Sequence, residues 1–179
     1  MFTDGVLRSV DLSDSGTIIL EFGSPDFDID SVLGPRTRRI LNSATSGETF
    51  IIAKRARGPL SDATVLATGN ALTADDLELI RAAANEPRAY YSGSPIFRRL
   101  PPQQDFAIQL RADDGTLDLM IDLHNPSWGF YCESESYQDW HWVGYHFKDI
   151  AKASFPDYAS LSDKHVWQSG VIAQLESNR

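Results

Sequence analysis

Asp122, His124, Cys132, Glu133, His141 and His146 lie within a single window of 25 residues. Carboxylate, imidazole and thiolate are the ligands a transition metal takes. Their spacing argues against a metal. His141 and His146 are five residues apart, which places them on different sides of a helix, whereas paired helical ligands stand three or four apart. No CxxC or HxxxH pattern occurs in the chain, and the expectation is a protein without metal or cofactor. Cys132 beside one of the four histidines would make a competent nucleophile, because an imidazolium stabilises a thiolate. The competing role for a lone cysteine at the end of an aromatic strand is that of a small core residue. Asp118 and Asp122 are four apart, so on a strand they share a face and could work as paired carboxylates; a sheet with one wet side also puts polar residues at alternate positions without any chemistry. No GxSxG elbow, GxGxxG or GxxxxGK[ST] loop is present, which removes the motif basis for serine-hydrolase and nucleotide chemistry. Catalytic residues are therefore not assigned. The enzymatic alternative is a small hydrolase or transferase using Asp122, His124 or His141 as acid-base groups, and a third reading is a structural or oligomer-forming module.

The more distinctive feature is aromatic. Trp128, Phe130, Tyr131, Tyr137, Trp140, Trp142 and Tyr145 crowd into one stretch with three of the four tryptophans, interleaved with Glu133, Glu135 and Asp139. Rigid amphipathic rings rimmed by carboxylates suit a protein-recognition surface, with rings as anchors and acids selecting a basic partner. The candidate partner-binding residues are Trp128, Tyr131, Glu133, Glu135, Tyr137, Asp139, Trp140 and Trp142. The alternative is that several of these rings close the core.

The charge balance points the same way. A formal net charge of -9 and a pI of about 4.8 repel nucleic acid and anionic membrane and favour basic partners. Two short basic clusters, Arg36/Arg38/Arg39 and Lys54/Arg55/Arg57, read as solvated loops. A single cysteine allows no internal disulfide and fits a reducing compartment. The opening MFTDGVLRSVDL has neither a basic nor an apolar signal region, and no stretch nears the roughly 20 apolar residues of a membrane span. The expectation is cytoplasmic.

Positioning these residues requires a scaffold, and its pattern is α+β within a single domain over 1–179. Val6 to Leu12 and Thr17 to Phe22 read as a hairpin across Ser13-Asp14-Ser15-Gly16. A short helix is expected around Arg36 to Leu41, and a strand pair from Glu48 to Lys54 and Ala63 to Thr68. Leu72-Thr73-Ala74-Asp75-Asp76-Leu77 opens a helix: Thr73 caps the first turn, Asp75 and Asp76 oppose its positive end, and Leu72 staples to Leu77. Ile80 and Ala84 continue its apolar face until Pro87 stops it. Phe106, Ile108 and Leu110 alternate, Asp113-Asp114-Gly115 turns, and Leu117, Leu119, Ile121 and Leu123 alternate again. Trp128 to Cys132 adds a third strand to this meander. Helices follow over Gly144 to Phe155 and Ser162 to Leu175, so the predicted architecture is an antiparallel sheet packed with two to four helices.

The helix LTADDLELIRAAANEPRAYY, the strand pair FAIQLRADDGTLDLMIDLHNPSWGFYC and the later FPDYA resemble a group of bacterial α+β proteins, some similar to immunity proteins of toxin systems. The resemblance covers Leu72 to Tyr158, about half the chain. Such proteins often carry cysteines where this chain has Asp122 and Asn125, so no metal or thiol role transfers, and no catalytic residue is implied. What the resemblance implies is binding: a basic protein partner, a cognate toxin whose active site the chain occludes.

Overall fold

The computed structural model describes residues 10–11, 17–18, 28–55, 58–87, 90, 104–123, 127–133, 135–140 and 144–157. Strands β1 (Val10–Asp11) and β2 (Thr17–Ile18) pair antiparallel, as the expected first hairpin requires. Helix α1 (Pro35–Ser43) follows, then β3 (Ser46–Arg55), β4 (Val65–Ala71), α2 (Ala74–Ala84), β5 (Gln104–Ala112), β6 (Gly115–Asp122), β7 (Ser127–Cys132), β8 (Glu135–Trp140) and α3 (Gly144–Ser154). The last six strands form one antiparallel sheet in the order β4-β3-β5-β6-β7-β8. The expected strand pair and the expected meander are thus halves of the same sheet, joined where β3 pairs with β5. The meander has four strands, because β8 adds to the three read from the apolar alternation. The helix expected over Ser162 to Leu175 lies outside the described residues.

Local chemistry accounts for the well-marked elements. At the start of α2 the Thr73 hydroxyl accepts from the Asp76 N–H at 3.2 Å, and the Asp76 carboxylate accepts from the Thr73 N–H at 2.9 Å. This reciprocal box satisfies two donors that a helix start leaves open. The helix ends at Ala84, before Pro87. Between β5 and β6 a two-residue turn, Asp113-Asp114, joins Ala112 to its partner Gly115. Gly115 has φ +147°, a backbone region that side chains with a Cβ avoid.

The helices cover one face of the sheet. Ile40 and Leu41 of α1, Leu77, Ile80 and Ala84 of α2, and Phe147, Ile150 and Ala151 of α3 meet Ile51, Phe106, Ile108, Leu117, Leu119, Ile121 and Phe130 in one buried cluster. Strand alternation sends Ile52, Ala107 and Met120 to the other face, where they form a smaller cluster with Leu60. Leu60 belongs to a 3-10 turn, Leu60–Asp62, in the β3-β4 connection. Its N–H donates to Asp118 Oδ2 at 3.0 Å, and Gln109 Nε2 donates to Asp118 Oδ1 at 2.9 Å. The second face is therefore not the wet side assumed for the alternate polar positions of β6: Asp118 is 8% and Asp122 1% exposed. No helix among the described residues is long and apolar enough to cross a membrane.

Candidate functional site

All the candidate partner-binding residues except Trp142 lie on the β7-β8 hairpin, which ends the sheet opposite β4. Six consecutive pairs run from Ser127↔Trp140 to Cys132↔Glu135 without a register shift. Glu133 opens the connection with φ +44°, the one non-glycine residue of positive φ among the described residues. A left-handed first turn residue matches the twist of two-residue hairpins, and a side chain with a Cβ holds it at a cost of roughly 1 kcal/mol.

An ion pair helps to hold that turn. Arg36 Nη2 donates to Glu133 Oε1 at 2.6 Å and to the Asp114 carbonyl at 2.9 Å. The neighbouring acid does more. Glu135 Oε1 accepts from the Arg36 N–H at 3.2 Å, while Oε2 accepts from the Thr37 N–H at 2.8 Å and the Thr37 hydroxyl at 2.9 Å. Helix α1 begins Gly34-Pro35, with no side-chain cap and no acid in its first turn. The missing acceptor comes instead from β8, about a hundred residues along the chain. Gly34 makes room for it, since a Cβ there would collide with the Glu135 carboxyl group. Partial desolvation pushes the Glu135 pKa up, but the hydrogen bonds from Thr37 and Arg36 and the Arg36 charge outweigh it and hold the carboxyl below its ordinary value.

Trp128 and Tyr131 lie on opposite faces of the sheet. Trp128 is 2% exposed, with its ring centroid 4.6 Å from that of Phe130 and 5.6 Å from those of Tyr90 and Phe147. It is a core residue, and the expectation that it anchors a partner is corrected accordingly: alternation along β7 turns it under the helices. Tyr131, half-buried on the second face, accepts the Gly58 N–H at its hydroxyl, 3.2 Å away. Tyr137, Asp139 and Trp140 sit on β8 opposite Phe130, Trp128 and Ser127. Trp142 lies outside the described residues. Seven of the eight candidates lie on one hairpin, and within it Trp128 and Tyr131 belong to opposite faces of the sheet.

The structure places only part of the chemical candidates. Cys132 is 1% exposed, and burial pushes its thiol up, with the Arg36 guanidinium offsetting part of the effect. It packs in the same cluster as Trp128 and Phe130, whereas Asp122 falls with Met120 on the other face by alternation, so the sheet separates two members of the suspected ligand set. Among the described residues no group of three or more His, Cys, Asp or Glu side chains is placed to hold a metal ion. His124 and His141 lie outside the described residues, and His146 is in α3. Both oxygens of Asp118 are engaged within the fold.

The α1 arginines are not a solvated loop. Arg36, Arg38 and Arg39 project from a helix and pair with Glu133 at 2.6 Å, Asp30 at 2.9 Å and Asp114 at 2.5 Å. Gly34, Arg36 and Thr37, which fix the hairpin, were absent from the sequence-derived site. Their signal was a helix opening on Gly-Pro without Ser, Thr, Asp or Asn at its start, hence in need of an acceptor from elsewhere. Comparison with protein-family models, with curated proteins and with solved structures gives no match for this chain.

Proposed function

We propose that the chain is a non-enzymatic binding protein of the immunity type, which occludes the active site of a basic bacterial toxin through the β7-β8 end of its sheet. One observation carries this reading: residues 127–140 contain Glu133, Glu135 and Asp139 and no lysine or arginine, and they form the terminal hairpin of an acidic protein. A cleft that binds nucleotides or nucleic acid is basic, and an acidic hairpin is attracted to it. The net charge of -9 steers, with Glu133 already shared with Arg36. Glu135 keeps the hairpin in place from within.

The test is a tagged pull-down from lysate of the native organism at low and high salt, followed by co-expression of the captured protein with and without this chain. A stoichiometric basic partner whose expression arrests growth, with growth restored by this chain, supports the proposal. A captured protein that is harmless alone would count against it. Charge reversal at Glu133 and Asp139 together should slow association at low salt by about ten-fold or more. Glu135 is left out of that variant because its loss would disturb α1 as well.

A further inference from the structure

We infer that the cleft between α2 and α3 seats one arginine side chain of a protein partner, with its stem on Leu79 and Ile150 and its guanidinium group at Asp75 and Asp149. This surface uses no residue of the β7-β8 hairpin, and neither reading needs the other.

Helix periodicity builds the cleft. On α2, Leu77, Ile80 and Ala84 turn to the sheet, and Leu79 is left 39% exposed. Asp75 stands four residues before Leu79, hence on the same side of the helix. On α3, Phe147, Ile150 and Ala151 join the core, while Asp149 is exposed. Where the two helices pack against each other, Asp75, Asp76, Leu79, Asp149 and Ile150 line a cleft of about 240 Å³. That is below the roughly 300 Å³ at which pockets for drug-sized ligands begin. The space suits one long side chain and is too small for a helix.

Charge selects the occupant. Three of the five lining residues are acids and none is basic, while most of the wall is apolar. Asp76 is committed to the helix cap, where its carboxylate accepts from the Thr73 N–H and hydroxyl. Asp75 and Asp149 are exposed and take part in no hydrogen bond or ion pair among the described residues. Two available carboxylates beside an apolar floor call for an aliphatic stem with a cationic head, the division found in lysine and arginine. Arginine is the better match, because its planar fork of donors meets carboxylates in fixed geometry and it is more weakly hydrated than an ammonium group. A second copy of this chain is a poor source of that side chain: Arg36, Arg38, Arg39, Arg81 and Arg111 already pair with acids of their own chain.

The experiment titrates the full chain, carrying isotope-labelled leucine and isoleucine methyl groups, with N-acetylarginine methylamide and with its citrulline analogue, which has the same stem and a neutral urea head. The expected result is saturable movement of the Leu79 and Ile150 methyl signals, with the citrulline probe bound about five-fold more weakly or less. That preference should disappear in the double variant Asp75→Asn with Asp149→Asn, which leaves the Thr73 to Asp76 cap intact. Equal binding of the two probes, or a preference that survives the double substitution, would overturn the inference. So would methyl signals of Leu79 and Ile150 that respond to neither probe. Nuclear Overhauser contacts from Leu79 to residues beyond 157 in the free protein would make the chain's own C-terminal segment the occupant and overturn it as well. None of these outcomes bears on the hairpin reading, because residues 127–140 take no part in the site.

Discussion

Replacing Glu135 with alanine tests the contact that fastens the sheet's last hairpin to its first covering helix. The carboxylate accepts two N–H groups and one hydroxyl from the first turn of α1. Loss of a helix cap costs about 1 kcal/mol, up to roughly 2, and a hydrogen bond to a charged group contributes about 1.5–3 kcal/mol. These figures overlap, because the same N–H groups are counted in both, and α1 can recruit water once the carboxylate is gone. Solvent reaches Glu135, which is half-buried, and this lowers the total further. The expected loss for Glu135→Ala is therefore about 2 kcal/mol. Glu135→Gln keeps acceptor oxygen but loses the charge opposed to the helix start, for about 1 kcal/mol. Urea unfolding followed by tryptophan fluorescence measures both. The pH dependence gives an independent reading. Because the folded pKa is depressed, this stabilisation is fully present above the ordinary carboxyl value of 4.5 and is lost as pH falls through the lower folded value. The gap between wild type and Glu135→Gln should close in acid. A Glu135→Ala variant within about 0.5 kcal/mol of wild type at neutral pH, or a gap that persists unchanged in acid, would refute the assignment.

Other substitutions probe neighbouring parts of the same construction. Gly34→Ala should destabilise by about 1–3 kcal/mol, because the added Cβ meets the Glu135 carboxyl; it should add little to Glu135→Ala in a double-mutant cycle. Trp128→Ala should cost about 3–5 kcal/mol, read by urea unfolding with tyrosine and residual tryptophan emission, as befits a ring buried among Tyr90, Phe130 and Phe147. Cys132 should react with a thiol reagent only slowly in the native protein and rapidly in urea, since it is buried and its thiol is pushed up; fast native labelling would show that the hairpin opens. Asp118→Ala should raise amide exchange at Leu60 and Gly58, because the carboxylate that holds the β3-β4 turn to the sheet is removed.

Much of the fold was legible from local pattern. The Thr73 to Asp76 box, the alternation on either side of Asp113-Asp114-Gly115, and the stop before Pro87 are decided within a few residues, by capping, pleat and ring sterics. Strand β8 was not legible, because Glu-Ser-Tyr-Gln-Asp-Trp mixes acids and aromatics without apolar alternation. It becomes a strand by pairing with β7, and register with a neighbour is information a local window does not contain. The same limit explains the candidate site. Sequence marks Trp128 to Trp142 as aromatic and acidic, but the ring types do not say which lie under the helices. Alternation along β7 puts Trp128 inside and Tyr131 on the opposite face, and only the covering helices make the first of these the buried core.

Composition and local spacing by themselves determined an acidic α+β chain with a capped helix, a central hairpin and a concentration of rings and carboxylates in one stretch. Tertiary structure alone decided that the expected strand pair and meander are one six-stranded sheet, that Asp118 and Asp122 of β6 are buried, the first of them against the β3-β4 turn, and that Glu135 caps a helix beginning about a hundred residues earlier. The physical reason is the range of the forces involved. A cap or a turn is settled by neighbours in the chain, whereas an unsatisfied helix start and an unpaired strand edge take their partners from whatever the fold brings beside them.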